Sequence, residues 1–126
     1  MPTIEIDGFG ACPAEKGTRL VHAIEGCGVD IGHRCGGNAR CTTCRVRFTE
    51  GEPEAMTRAE HDKLRERGLL GEVRLSCQIL VTHDMALTPL MRVEEMGWSD
   101  PGPPPAPQIT PEPDWLTPDE RARLDE

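Results

Sequence analysis

The 126-residue sequence has no tyrosine, two phenylalanines and two tryptophans. An aromatic core is therefore ruled out, and the interior must be aliphatic or be held together by something other than side chains. Long apolar runs are missing as well. Nothing approaches the roughly 18 apolar residues of a membrane span, so no membrane insertion is expected. The opening stretch, MPTIEIDGFGACPAEKGTRL, lacks the apolar segment of about 7–15 residues that marks a secretory signal. Positive charge is also in short supply: 14 Lys and Arg face 22 Asp and Glu, for a net −8. That balance argues against nucleic acid as a general partner and favours steering toward a basic one. No internal repeat is present. The expectation is one soluble domain in a reducing, cytoplasmic compartment, where thiols act as ligands more often than as disulfides.

What the sequence does have is cysteine in an unusual arrangement. Three of its six cysteines fall inside HRCGGNARCTTCRV, residues 33–46. Residues 32–50 carry a net +3, a basic island on an otherwise acidic chain. A disulfide framework would spread its cysteines through a small secreted domain. A structural zinc site commonly uses two tight pairs, and here Cys41-Thr-Thr-Cys44 is one pair among isolated cysteines. A redox-active CxxC opens a helix after a strand, whereas this one precedes RVRF, which alternates as a strand. Iron–sulfur ligation fits best, because a loop can wrap a cluster with three thiolates while a distant segment supplies the fourth. Gly36, Gly37 and Ala39 let the backbone curl close. Arg34, Arg40 and Arg45 either offset the charge of such a group or dock an acidic partner.

The rest of the chain supplies a scaffold. TIEID (3–7) alternates as a strand with Ile4 and Ile6 on one face, and a weaker edge strand is expected near 11–14. Thr18 is the expected N-cap of a helix whose stripe is Leu20, Ala23, Ile24 and Cys27, closed by Gly26 and Gly28. Thr57-Arg-Ala-Glu60 is a capping box for a second helix to about Arg67, with a thin apolar stripe that suits the surface. EVRLSCQILV (72–81) reads as a strand with Cys77 facing inward, and 85–88 as a last strand. This order predicts an α+β domain with a mixed sheet packed on one main helix. Cys12 has no partner at a useful spacing, Cys27 reads as a core residue and His33 as a solvated loop residue.

Beyond Gly97 the composition shifts, giving expected units of 1–97 and 98–126. Eight of the twelve prolines lie between Pro101 and Pro118, and PGPPPAP forms neither helix nor central strand. As polyproline II, residues 101–118 would span about 55 Å at about 3.1 Å per residue. Thr117, Pro118, Asp119 and Glu120 then make a proper helix start. Trp115, Leu116 and Leu124 give that end an apolar anchor, either for its own domain or for a partner, and a docking role toward a partner is the hypothesis. With every strand before the cut, a chain ending at Gly97 is expected to keep its site.

Cys35-x5-Cys41-x2-Cys44 followed by Cys77 in RLSCQI resembles the 2Fe–2S ferredoxins of the β-grasp fold, in their adrenodoxin-like branch. The plant-type loop is one residue shorter in its first gap. CGGNARCTTCRV is also similar to the ferredoxin modules of some bacterial nucleotide cyclases. The resemblance covers roughly residues 3–91. It implies one 2Fe–2S cluster, with Cys35 and Cys41 on one iron and Cys44 and Cys77 on the other. It implies a one-electron carrier, passing electrons from a ferredoxin reductase to a terminal oxidoreductase, without catalytic residues of its own. The competing expectation is a regulatory protein that senses redox state or oxygen and signals through its tail; a structural metal is a third. Adrenodoxin-like proteins dock through acids on the helix after the cluster loop, whereas TRAEHDKLRERG interleaves Glu60, Asp62 and Glu66 with Arg58, Lys63, Arg65 and Arg67.

Overall fold

The structure is a computed structural model of the chain and describes residues 1–34, 36–39, 42–100 and 102–124. Strand β1 (Thr3–Ile6) buries Ile4 and Ile6 and exposes Thr3 and Glu5, as period-two alternation requires. It pairs antiparallel with β2 (Gly10–Pro13), Thr3 opposite Pro13 and Ile6 opposite Gly10. Helix α1 (Leu20–Gly26) turns Leu20, Val21, Ala23 and Ile24 into the core. After the cysteine loop come β3 (Arg45–Glu50), β4 (Met56–Thr57), α2 (Arg58–Glu66) and β5 (Arg74–Leu75). A 3₁₀ turn (Ser76–Gln78) and β6 (Met85–Pro89) follow. The chain continues through α3 (Val93–Met96), β7 (Trp115–Leu116) and α4 (Pro118–Leu124).

The main sheet has the order β2-β1-β6-β3-β5. β1 and β6 are parallel, Ile4 beside Met85 and Ile6 beside Leu87, and β3 runs antiparallel to both β6 and β5. Ile4, Ile6, Leu20, Ile24, Val46 and Leu87 form the aliphatic core between sheet and α1. Each such side chain stabilises the fold by about 1.5–3 kcal/mol. The expected α+β arrangement, a mixed sheet on one main helix, is what the chain adopts. Among the described residues, no helix is long and apolar enough to cross a membrane.

Several local expectations are corrected. The N-cap of α1 is Arg19, with no side-chain cap bond. Thr18 is instead pinned through its carbonyl, which accepts from Val81 N at 2.8 Å, while Arg19 bridges Leu80. The 72–81 strand is two residues long before it breaks into the turn that carries Cys77. Alternation misleads there because both faces are covered: Arg74, Ser76 and Gln78 are as buried as Leu75, Cys77 and Ile79. α2 is not merely superficial. Its buried face is Glu60, His61 and Leu64, invisible to an apolar-stripe criterion because two of the three are polar.

Cys12 does have a partner. It forms a disulfide with Cys27, tying β2 to the end of α1 across 15 positions. Cys27 is accordingly the C-cap of α1 rather than a plain core residue.

Of the two arrangements left open for the tail, the structure shows it folded back on its own domain. Leu116 and Trp115 of β7 pair with Met56 and Thr57 of β4, so not every strand precedes Gly97. Ile109 and Leu116 are buried, while Trp115 stays 40% exposed. α4 starts as predicted: Glu120 N donates to the Thr117 hydroxyl at 3.2 Å, and the Glu120 carboxylate accepts from Thr117 N at 3.2 Å.

Candidate functional site

Cys44 ends the cysteine loop and leads into β3, and Cys77 follows β5. Because Arg45 lies opposite Leu75 in the β3–β5 register, the two cysteines emerge at the same end of neighbouring strands. Ser76 secures the junction: its amide donates to the Cys44 carbonyl at 3.2 Å and its hydroxyl to the same oxygen at 2.8 Å. Cys44 is 2% exposed and Cys77 0%. Cys35, Cys41 and Arg40 lie outside the described residues. Of the four expected ligands, the structure therefore brings Cys44 and Cys77 together.

The backbone between them and the loop is shaped as a cradle. Gly36, Gly37 and Ala39 all hold positive φ, at 74°, 82° and 57°. This left-handed backbone curls the loop tightly, and its first turn is closed by Gly36 N, which donates to the His33 carbonyl at 2.8 Å. At Gly37 any side chain would collide, since a Cβ would sit 2.8 Å from both the Arg19 guanidinium and Pro105. Thr43 and Thr42 brace the loop. The Thr43 hydroxyl accepts from Arg34 N at 2.9 Å, and the Thr42 carbonyl accepts from Arg45 Nε at 2.9 Å.

Around Cys77 the polar network is dense. Gln78 Nε2 donates to the Thr110 carbonyl at 2.8 Å and approaches the Cys77 Sγ at 3.7 Å. The Thr57 hydroxyl donates to Gln78 Oε1 at 2.7 Å, linking the N-cap of α2 to the turn. Upstream, Glu60 accepts from Arg74 Nε at 2.7 Å and from Leu75 N at 2.8 Å. Burial alone would lower the pKa of Arg74, but the charge and hydrogen bonds of Glu60, with help from Glu52, raise it above its ordinary value.

His33 is not the solvated residue expected from sequence. It is buried, with Nδ1 2.9 Å from the Pro103 carbonyl and Nε2 2.8 Å from Glu25 Oε2. Both neighbours are acceptors, so the geometry suits the doubly protonated imidazolium. Burial pushes the pKa down. The hydrogen bond and charge of Glu25 outweigh it, aided by backbone contacts, and the net shift is upward.

The residue that sequence reasoning missed is Arg19, wholly buried. Its Nε donates to the Cys77 carbonyl at 2.7 Å, Nη1 to the Ala106 carbonyl at 2.8 Å, and Nη2 to the Gly37 carbonyl. Taking a charge out of water costs several kcal/mol, which such charge-assisted bonds offset. No local sequence signal marks it, because its acceptors come from residues 37, 77 and 106.

The profile of the 2Fe-2S iron-sulfur cluster binding domain matches residues 4–82. The chain belongs to this family. One component of the Na(+)-translocating NADH-quinone reductase of Idiomarina loihiensis is 34% identical over 73 residues, 58% of this chain and 18% of that one. The chain thus spans under a fifth of that relative's length. A 2Fe-2S ferredoxin of Haemophilus influenzae is 36% identical over 74 residues, 56% of this chain and 66% of the other. Among solved structures, the ferredoxin of Rhodopseudomonas palustris HaA2 shares 29% identity with a TM-score of 0.57, covering 72% of this chain and 99% of that one.

The fold is therefore the ferredoxin β-grasp, and the protein binds one 2Fe–2S cluster in a family of electron carriers. The residues present fit that group: two soft sulfur donors, both buried, beside a tightly curled loop in which Gly36, Gly37 and Ala39 take left-handed backbone. Such a cluster supplies one-electron uptake and release without a bound substrate. The family match ends at residue 82, so β6, α3 and the whole tail lie beyond it.

Proposed function

We propose that Cys35, Cys41, Cys44 and Cys77 hold the cluster and that the protein passes single electrons from a reductase to a terminal oxidoreductase. The observation that carries the ligand set is the placement of Cys44 and Cys77 at adjacent strand ends, joined through Ser76. The family match spans all four cysteines. In the resemblance to ferredoxins, Cys35 and Cys41 serve one iron, and Cys44 and Cys77 the other. The relatives accord with a carrier that works beside a reductase: one is a subunit of an NADH-quinone reductase and another a 2Fe-2S ferredoxin. The chain's own residues hold the cluster, exclude water from Cys44 and Cys77, and present a surface to a partner.

The chain divides into a cluster domain, 1–97, and a tail, 98–126, that docks on it. A cytoplasmic location is the reading from the sequence, and one feature opposes it. The half-buried Cys12–Cys27 bridge is the feature that argues against a strongly reducing compartment.

The sensor reading keeps one specific support: the tail lies against the cysteine loop, with Pro103 bonded to His33. Reduction by a ferredoxin reductase, followed by repeated transfer to an acceptor such as cytochrome c, distinguishes the two. Catalytic amounts of a carrier sustain many turnovers, whereas a sensor gives a single equivalent and a change in tail docking.

A further inference from the structure

We propose that residues 102–110 are the outer wall of the cluster site, and that Arg19 is the positioning residue that couples this wall to the cluster. The proposal rests on the ligand set given above. It starts from how closely the tail approaches the residues flanking those ligands. A Cβ on Gly102 would lie 2.5 Å from the Cα of Arg34 and 2.7 Å from the His33 carbonyl, so main chain is pressed on main chain just before Cys35. Gly102 meets this with a φ of 112°. On the far side of the site, the Thr110 carbonyl accepts from Gln78, the neighbour of Cys77. Between these two points Pro105 closes over Gly37.

Arg19 joins the three parts. One planar guanidinium holds the Cys77 turn, the Gly37 cradle and the Ala106 carbonyl of the tail. His22 reinforces the last contact, with Nε2 2.9 Å from the same Ala106 oxygen. An arginine fork spans acceptors in different directions, which a lysine ammonium does not. Whatever holds the loop and the turn closed from outside also opposes their opening around the cluster, and the coupling is reciprocal. The buried positive charge has a second consequence. Reduction adds a negative charge to the cluster, so a cation fixed behind the Cys77 carbonyl favours the reduced form and raises the potential.

The test uses full-length, cluster-loaded protein with every cysteine retained, which keeps it separate from the test of the ligand set. Four variants are compared with the parent: Ile109→Asp, Arg19→Gln, Arg19→Lys and Leu116→Asp. Bleaching of the visible absorption by the iron chelator bathophenanthroline and the midpoint potential are measured on each.

Ile109→Asp lifts the wall and bleaches at least about tenfold faster. Leu116→Asp, which frees the far end of the tail on β4, bleaches at the parental rate. Arg19→Gln bleaches faster and shifts the reduced-to-oxidised ratio at fixed ambient potential about tenfold downward, about 59 mV for a one-electron couple. Arg19→Lys restores the midpoint but not the slow bleaching. Parental bleaching in Ile109→Asp, equal bleaching in Ile109→Asp and Leu116→Asp, or an unmoved midpoint in Arg19→Gln would each overturn the proposal. Should Arg19→Gln assemble no cluster, the comparison of Ile109→Asp with Leu116→Asp decides.

Discussion

The Nε of Arg19 lies 2.7 Å from the carbonyl oxygen of Cys77, 58 positions further along the chain. The residue that starts the main helix thus fixes the main-chain orientation of a proposed cluster ligand. The same contact accounts for the break in the segment that alternation marks as one long strand. With its carbonyl turned to Arg19, Cys77 leaves the strand ladder, and the chain coils through Ser76–Gln78.

Replacing Cys44 or Cys77 by alanine abolishes the visible iron–sulfur absorption and lowers the melting temperature, because a bound metal–thiolate site also stabilises the fold. The same outcome is expected for Cys35 and Cys41. Serine at Cys12 or Cys27 leaves the spectrum in place. Retained colour in Cys77→Ala, together with lost colour in Cys12→Ser, would refute the assignment.

Loss of the Cys12–Cys27 bridge carries a stability cost of its own. Closing a loop of 15 positions stabilises by about 3 kcal/mol in the chain-entropy account. Urea titration of Cys27→Ser should show a drop of that order at unchanged cluster content. No change in midpoint denaturant concentration would mean that the bridge does not form in solution.

The sequence disclosed the scaffold where one face of an element is buried. Ile4 and Ile6, Leu20 and Ile24, and Met85 and Leu87 alternate or recur as their surroundings demand. It failed where burial is two-sided or polar. Arg74, Ser76 and Gln78 are buried through hydrogen bonds to partners distant in sequence, and no local pattern announces them. Arg19 and His33 were illegible for a related reason: both are held by carbonyls or carboxylates supplied by folding, including those of the tail. The pairing of Cys12 with Cys27 escaped because Cys12 lies on a strand and Cys27 at a helix end, which only the fold brings together.

The Glu60–Arg74 pair is expected to be costly to break from one side. Both side chains are buried, and Glu60 also holds Leu75 N two residues before Cys77. Glu60→Ala strands a buried cation, a change that typically costs about 3–5 kcal/mol. The double variant Glu60→Leu with Arg74→Met should recover much of that loss in chemical denaturation. An additive double variant would show that the two side chains act independently.

Tail docking is expected to weaken in acid. Hydrogen bonds from the Thr117 amide and hydroxyl hold the Glu120 carboxyl below its ordinary value of 4.5. A carboxylate with a depressed folded pKa contributes stability that is complete above the unfolded value and is lost as pH falls through the folded one. Trp115 fluorescence should therefore report loosening of β7 and α4 below about pH 4.5, and Glu120→Gln should remove that transition. A transition that survives in Glu120→Gln would assign it to other groups.

Arg34 is exposed and stacks 4.9 Å from the Trp98 ring centroid. Solvent and salt screen such a charge from the cluster. Arg34→Gln should leave the reduction potential in place while changing the association rate with a redox partner and its salt dependence. A shifted potential with unaltered kinetics would assign Arg34 to the cluster rather than to docking.

The most direct test of the central claim is the iron, sulfide and electron content of the purified full-length protein, measured on one sample. The family assignment predicts two irons and two acid-labile sulfides per chain, with uptake of a single electron and the appearance of a paramagnetic signal on reduction. Zinc in place of iron, a 4Fe stoichiometry, or colour retained after all four of Cys35, Cys41, Cys44 and Cys77 are replaced would contradict it.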